Sequence, residues 1–355
     1  MKKNILLTLA ISLFVASMAF SSGYENNANK FNQSKNNQLF AANFPIPDTA
    51  ISHKAKTSSI PSGEIELRPN SPAKPGSTNS RKKPSGTPGA KPSGPTVVRP
   101  KDIPDPNKPK ELFNGIDKAQ KGDLQGAIVD FDSCIQKNPR NYNAYFYKAK
   151  AQIELNEPQK AMGNLNLAIQ YNPVNPIIFY YRGKLLYDAG EIDKAYDDFD
   201  SAVSLNPGLP DPLNFRGVIK AQRGKHAEAL EDYNAAIKIN PIFATAYFNK
   251  GTSEAALASY AEAIASFSKC IELDSVNVSS YMNRGNCYFM TKEYRAAIAD
   301  YTKVISIDPG KSDAYFNRGA ACQYSGDKNA CNDWLKAKSL GNKKADAMLE
   351  EYCKQ

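Results

Sequence analysis

The stretch AYFNRG stands at 314–319, with near copies AYFNKG at 246–251 and SYMNRG at 280–285. Their starts are 34 residues apart each time. A phrase written at a fixed interval marks one structural unit copied in tandem. Working outward, the same interval separates Pro139, Pro173, Pro207 and Pro241, and twice that interval leads on to Pro309, with Ser275 in the skipped place. Asn138, Asn172, Asn206, Asn240, Asp274 and Asp308 come directly before these positions. Proline has no amide hydrogen and pushes its predecessor out of the helical region, so each of these pairs predicts a helix end.

With that proline set as position 32 of a 34-residue unit, further columns align. Position 8 reads Gly115, Ala149, Gly183, Gly217, Gly251, Gly285 and Gly319. Position 20 reads Ala127, Ala161, Ala195, Ala229, Ala263, Ala297 and Cys331. Position 24 reads Phe131, Leu165, Phe199, Tyr233, Phe267, Tyr301 and Leu335, and position 27 reads Cys134, Ala168, Ala202, Ala236, Cys270, Val304 and Lys338. Small residues at 8 and 20 let two helices of one unit approach closely, and the large residue at 24 fills the gap to the next. Turn sequences such as DAGEID and AQRGKH split each unit into two helices of about 12–14 residues. One hairpin of this kind cannot bury its apolar stripe alone; a stack of them can.

This pattern resembles the tetratricopeptide repeat family, with small residues at 8, 20 and 27 and proline at 32. The resemblance covers 108–345, seven units, followed by a capping helix assigned to 346–355. It implies an all-α solenoid, a right-handed superhelix of helix-turn-helix repeats whose first helices line the inner face. Ser275, Lys338 and Lys343 depart from the pattern. The two lysines make the last unit look like an end that faces solvent or a cap.

The resemblance also points to a binding face. Asn249, Asn283 and Asn317 share position 6, where some superhelices of the family carry a ladder of asparagines. A carboxamide both donates and accepts, so it can grip a peptide backbone of any sequence. Positions 5 and 12 face the same groove in the family; here they include Phe146, Tyr180, Phe248, Met282 and Phe316, with Tyr187 and Phe289. Position 5 carries no Lys, so the carboxylate clamp of the family's chaperone-tail binders does not carry over. The basic residues before the glycine (Lys148, Arg182, Arg216, Lys250, Arg284, Arg318) are read as solvated or paired charges at helix edges.

Charge divides the chain. Residues 1–110 hold 16 Lys/Arg against 6 Asp/Glu, a balance of +10, while 111–355 hold 29 against 30, a balance of −1. A nucleic-acid-binding domain concentrates positive charge on its folded part, so no nucleic-acid partner is expected. Lys2 and Lys3 followed by the apolar run 5–20 and small residues near its end match a secretory signal peptide, 1–20, removed on export. That run is short for a hydrocarbon core, and no second stretch suits a membrane span. Residues 21–107, rich in Pro, Lys, Ser and Gly, read as a disordered tail. The tail contains two P-x-x-P sequences, at 92–95 and 106–109. The expected location is therefore periplasmic or secreted.

Six cysteines include no C-x-x-C pair, so neither metal nor cofactor is expected. Cys134 and Cys270 fit buried small-residue positions. Cys331 and Cys353 stand at opposite ends of two helices expected to pack antiparallel about Gly341, which predicts a disulfide; Cys322 is the competing partner. No catalytic constellation is present. Two readings stay open. One is a non-enzymatic scaffold that binds a partner segment in its groove. The other is a structural component of a cell-envelope complex that uses its convex face and basic tail.

Overall fold

The computed structural model describes residues 109–353, and the expected signal peptide, tail and P-x-x-P sequences lie outside them. Among the described residues fifteen helices follow one another, with no strand. Seven pairs form the repeat. They are α1 (Lys110–Gln120) with α2 (Leu124–Lys137), α3 (Tyr142–Glu154) with α4 (Pro158–Tyr171), α5 (Pro176–Asp188) with α6 (Ile192–Leu205), and α7 (Pro210–Gln222) with α8 (His226–Ile239). Then come α9 (Ala244–Ala256) with α10 (Tyr260–Leu273), α11 (Val278–Met290) with α12 (Tyr294–Ile307), and α13 (Ser312–Ser325) with α14 (Ala330–Ser339). The last helix, α15 (Lys344–Tyr352), begins two residues before the expected 346.

Local chemistry explains the breaks. The Asn or Asp before each proline caps the second helix and then accepts from the amide two residues on, as in Asn206 with Gly208 at 2.9 Å and Asp308 with Gly310 at 3.0 Å. Such Asx turns complete what the proline begins. Between the helices of a unit, position 15 takes a left-handed backbone every time: Gly122, Gly190, Gly224 and Gly326, but also Asn156, Ala258 and Lys292. Only glycine adopts this conformation without steric cost.

Packing within a unit turns on positions 8 and 24. A Cβ on Gly251 would lie 2.9 Å from the Phe267 ring, and one on Gly217 would lie 2.7 Å from Tyr233. The one unit with alanine at 8, Ala149, has Leu165 rather than a ring at 24, and both are fully buried. The ring also reaches the next unit, Phe199 stacking on Phe215 at 5.1 Å. Each second helix packs on the first helix of its own unit and of the next. Successive first helices also come close to one another, α1 to α3, α7 to α9, α9 to α11 and α11 to α13, whereas second helices stay further from each other. The stack therefore bends with its first helices on the inside, giving the solenoid an inner face.

The last unit departs from the expected register. Arginine at position 7 pairs with an aspartate 16 residues on in α6, α8 and α12, but Arg318 pairs with Asp333, 15 residues on. The turn after Gly326 is one residue short. Ala330, Trp334 and Ala337 therefore occupy the core places expected for Cys331, Leu335 and Lys338, and Leu335 is exposed. Trp334 lies against Gly319 and donates its indole N–H to the Phe316 carbonyl at 3.2 Å. Released from the core, Lys338 pairs with Asp346 of α15 at 2.6 Å. Cys331, half-buried at the edge, is joined to Cys353 by a disulfide, 22 residues apart, while Cys134, Cys270, Cys287 and Cys322 are buried free thiols. In the chain-entropy model a loop of that size contributes about 3 kcal/mol, holding the end helix over Trp334 and Phe316.

Candidate functional site: the inner face

Contacts between successive first helices define the face. In units 2 to 4 they are aromatic. Phe146 meets Tyr181 at 5.4 Å, Tyr180 meets Phe215 at 6.1 Å and Tyr187 meets Phe215 at 5.8 Å between ring centroids. The Tyr187 hydroxyl accepts from the Gln222 amide at 2.7 Å. In units 5 to 7 the same seam is built of carboxamides. Asn249 donates to Asn214 at 2.9 Å, and Asn317 donates to Asn286 at 3.0 Å.

Asn249, Asn283 and Asn317 are thus brought onto one face but not presented as open rungs: they are only 6%, 3% and 5% exposed. A short side chain at position 6 ends in the seam between units, where its nearest polar partner is the preceding first helix. Asn283 Oδ1 and Asn286 Nδ2 remain without a hydrogen-bond partner. Phe146, Met282 and Phe316 are core residues, because position 5 points into the seam. Tyr180, Phe248 and Phe289 are half-buried. Phe248 leans on Phe267 at 5.8 Å, and Phe289 meets Tyr294 and Tyr324 edge-on.

The sequence reading passed over Phe113, Tyr147, Tyr181 and Phe215. They occupy position 6 in units 1 to 4, the column that carries Asn in units 5 to 7. Phe113 is 54% exposed, and the other three are half-buried. The signal was available: the column changes from ring to amide halfway along the chain.

Charge on this face is mixed. The Lys150 amine sits over the rings of Phe146, Tyr147 and Tyr181, 5.6–6.0 Å from their centroids. Asp188 and Asp211 are open to solvent on one side yet sunk within the curve, and burial holds both carboxyls above the ordinary range against the pull of Lys184. Burial likewise raises the phenols of Tyr180 and Tyr181, on which the charge of Asp211 also bears.

The arginines of position 7 do not line the groove. Arg182, Arg216, Arg284 and Arg318 each grip one buried aspartate of their own unit in two-pronged fashion: Asp198, Asp232, Asp300 and Asp333. The remaining nitrogen reaches back to the preceding unit, as in Arg216 to Asp200 at 2.7 Å and Arg284 to Ser268 at 2.9 Å. Each guanidinium therefore ties three helices together, a task suited to its planar fork. Where position 7 is lysine, position 23 is not aspartate. There Asn164 bonds Gln152 at 2.7 Å, and Ser266 bonds Glu254 at 2.6 Å.

Among the described residues no group of His, Cys, Asp and Glu is arranged to hold a metal. His226 Nδ1 lies 3.5 Å from Ser253 Oγ, but Ser253 is only 1% exposed, so no substrate reaches that hydroxyl. No helix among the described residues is long and apolar enough to cross a membrane. The chemistry this face offers is contact: rings, amides and a few charges set along the first helices.

Family models described as tetratricopeptide repeat match residues 118–185, 244–277 and 278–311, and one described as TPR repeat matches 217–253. Among curated proteins no match is found. Among solved structures, the C-terminal part of a TPR repeat-containing protein from Cytophaga hutchinsonii is similar at 20% identity and a TM-score of 0.52, covering 67% of this chain and 99% of that one. The pilF protein of Pseudomonas aeruginosa is similar at 17% identity and a TM-score of 0.52, covering 57% of this chain and 93% of that one. A tetratricopeptide repeat protein from Parabacteroides merdae aligns at 25% identity over 68% of this chain and 96% of its own, with a TM-score of 0.48. The repeated phrase, the position 8 and 24 packing and the family-model matches agree: the chain belongs to the tetratricopeptide repeat family.

Proposed function

We propose that the chain is a non-enzymatic scaffold that holds an extended segment of a partner protein along the inner face of its first helices. Interaction with other proteins is the general role of these repeats. One observation carries it. Units 1 to 4 set a ring at position 6 of every first helix, and Phe113, the first of them, stays more than half exposed with no covering element among the described residues. Packed helices lie about 8–10 Å apart, the length of about three extended residues. A bound segment would therefore meet one ring every third residue. Tyr180, Phe248 and Phe289 supply flanking apolar surface. Phe146, Met282 and Phe316 act from beneath by holding the seam.

Export to the periplasm or the medium is part of the proposal. It rests on the pattern of 1–20, and a disulfide at the C-terminal end suits an oxidising compartment. The test is recovery of partners from the cell that makes the protein, with wild type and a Phe113→Ala, Tyr147→Ala, Tyr181→Ala variant compared at equal folded amounts. Loss of the recovered partner supports the groove. Unchanged recovery that is instead lost on charge reversal in 67–101 would transfer the function to the convex face and basic tail.

A further inference from the structure

The aromatic half of the inner face has a charge pattern that its own residues do not balance. Glu154 and Asp211 both bear electrostatically on Tyr181, and Asp188 and Asp211 on Tyr180, which places three carboxylates around two adjacent rings. None of the three forms an ion pair within the described residues. Of the nearby bases, Lys150 is turned over the rings, and Lys184 draws on Asp188 and Asp211 without offsetting their burial. An occupant suited to this face is extended, carries cations at intervals and brings some apolar surface to Phe113.

The chain itself contains such a segment. Residues 67–101 hold eight Lys/Arg (Arg68, Lys74, Arg81, Lys82, Lys83, Lys91, Arg99, Lys101) and no Asp or Glu. They end eight residues before Pro109, where unit 1 begins. Eight extended residues reach about 25 Å, the span of two to three packed helices at about 10 Å each. Val97 and Val98 form the apolar pair nearest unit 1 and lie within comparable reach of Phe113. Frequent prolines fix φ, so less conformational freedom is lost when such a chain is held extended. Attachment to unit 1 sets an effective concentration in the millimolar range for a short link, so contacts too weak to hold a free peptide suffice.

We propose that residues 81–101 dock along the aromatic inner face of units 1 to 4, with Val97 and Val98 at Phe113 and the basic side chains toward Glu154, Asp188 and Asp211. The groove's first occupant is then the chain's own basic segment, and an external partner gains the face by displacing it. This stands apart from the partner reading, because it is tested on the purified chain with no partner present.

The test is zero-length coupling of amines to carboxylates with a carbodiimide on the dilute full-length protein, with isotope-labelled and unlabelled chains mixed. The expected result is coupling of Lys82, Lys83, Lys91 or Lys101 to Glu154, Asp188 or Asp211 within one chain, lost at high salt as charge contacts are screened. Coupling spread equally over outward-facing Asp197 and Glu231, coupling between labelled and unlabelled chains, or no coupling to the three carboxylates would each overturn the proposal. A second reading uses limited trypsin digestion at Arg81–Lys83. Docking predicts that an Asp188→Asn, Asp211→Asn variant with an unchanged helical spectrum is cut roughly fivefold faster than wild type, a modest factor in keeping with partly exposed ion pairs. Equal rates would count against docking.

Discussion

Position 6 of the first helix carries Phe113, Tyr147, Tyr181 and Phe215 in units 1 to 4, and Asn249, Asn283 and Asn317 in units 5 to 7. Backbone register is the same through unit 6, and in every unit a small residue at position 8 faces a large one beneath, yet the surfaces differ. A ring is too long to end in the seam between units, so it lies across the inner face and stays partly open. An asparagine is short enough to end within the seam, and it spends its amide on the neighbouring first helix. One repeat thus produces two kinds of hollow. The aromatic one is suited to side chains, and the other has its polar groups largely turned inward.

The sharpest way to break this comparison is to show that the scaffolds beneath the two halves differ. Phe131 and Phe267 are fully buried at the same position in units 1 and 5. Phe131→Ala and Phe267→Ala should each cost about 3–5 kcal/mol in urea unfolding followed by circular dichroism. A large loss in one half with almost none in the other would mean that the halves are not built alike.

Next in size is the contrast at position 6 itself. Asn317→Ala removes one of the two donors to the buried Asn286 Oδ1, the other being the Tyr301 hydroxyl at 2.9 Å, and should cost about 1–1.5 kcal/mol. Phe113→Ala removes a ring that is mostly in water and should leave stability within about 0.5 kcal/mol. If the costs were reversed, the asparagines would not be structural.

A smaller effect tests the turns that both halves share. Ala258→Gly and Lys292→Gly relieve a left-handed backbone and should each gain about 0.5–1 kcal/mol, read as a rise in the unfolding midpoint. Gly190→Ala, in the other half, should lose a similar amount.

The smallest effect is electrostatic and confined to the aromatic half. The carboxyls of Asp188 and Asp211 are raised by burial in the folded chain relative to the unfolded one. The folded state therefore binds protons more readily, and the penalty is present above the raised value and fades as pH falls through it. At high salt, where the basic segment is released, Asp188→Asn with Asp211→Asn should melt slightly higher than wild type at neutral pH, and the gain should vanish on acidification into the carboxylate range. A variant that melts lower at neutral pH would mean that both charges have stabilising partners.

Much of this architecture was legible in the sequence, because the spacing of proline, glycine and alanine is a direct record of where helices end and touch. Even the exception at Ala149 and Leu165 keeps the logic of small facing large. The last unit was misread by one residue because its closing proline is absent. Without that marker the columns ran on to Cys331, Leu335 and Lys338, and only the Arg318–Asp333 spacing reveals the shortened turn. Three of the four arginine partners were written plainly as aspartates 16 residues on. What spacing does not encode is the tilt between successive first helices. That tilt decides whether positions 5 and 6 end in the seam or in the hollow, and so the exposed rings were not distinguished from the buried amides.

The account rests on the aromatic inner face being the surface that partners touch. A photoreactive amino acid placed at Tyr181, and separately at outward-facing Val129, which is 62% exposed, tests this in the cell that makes the protein. Light-dependent adducts with another protein from position 181 and none from position 129 are the predicted result. Adducts from position 129 with none from position 181 would contradict it.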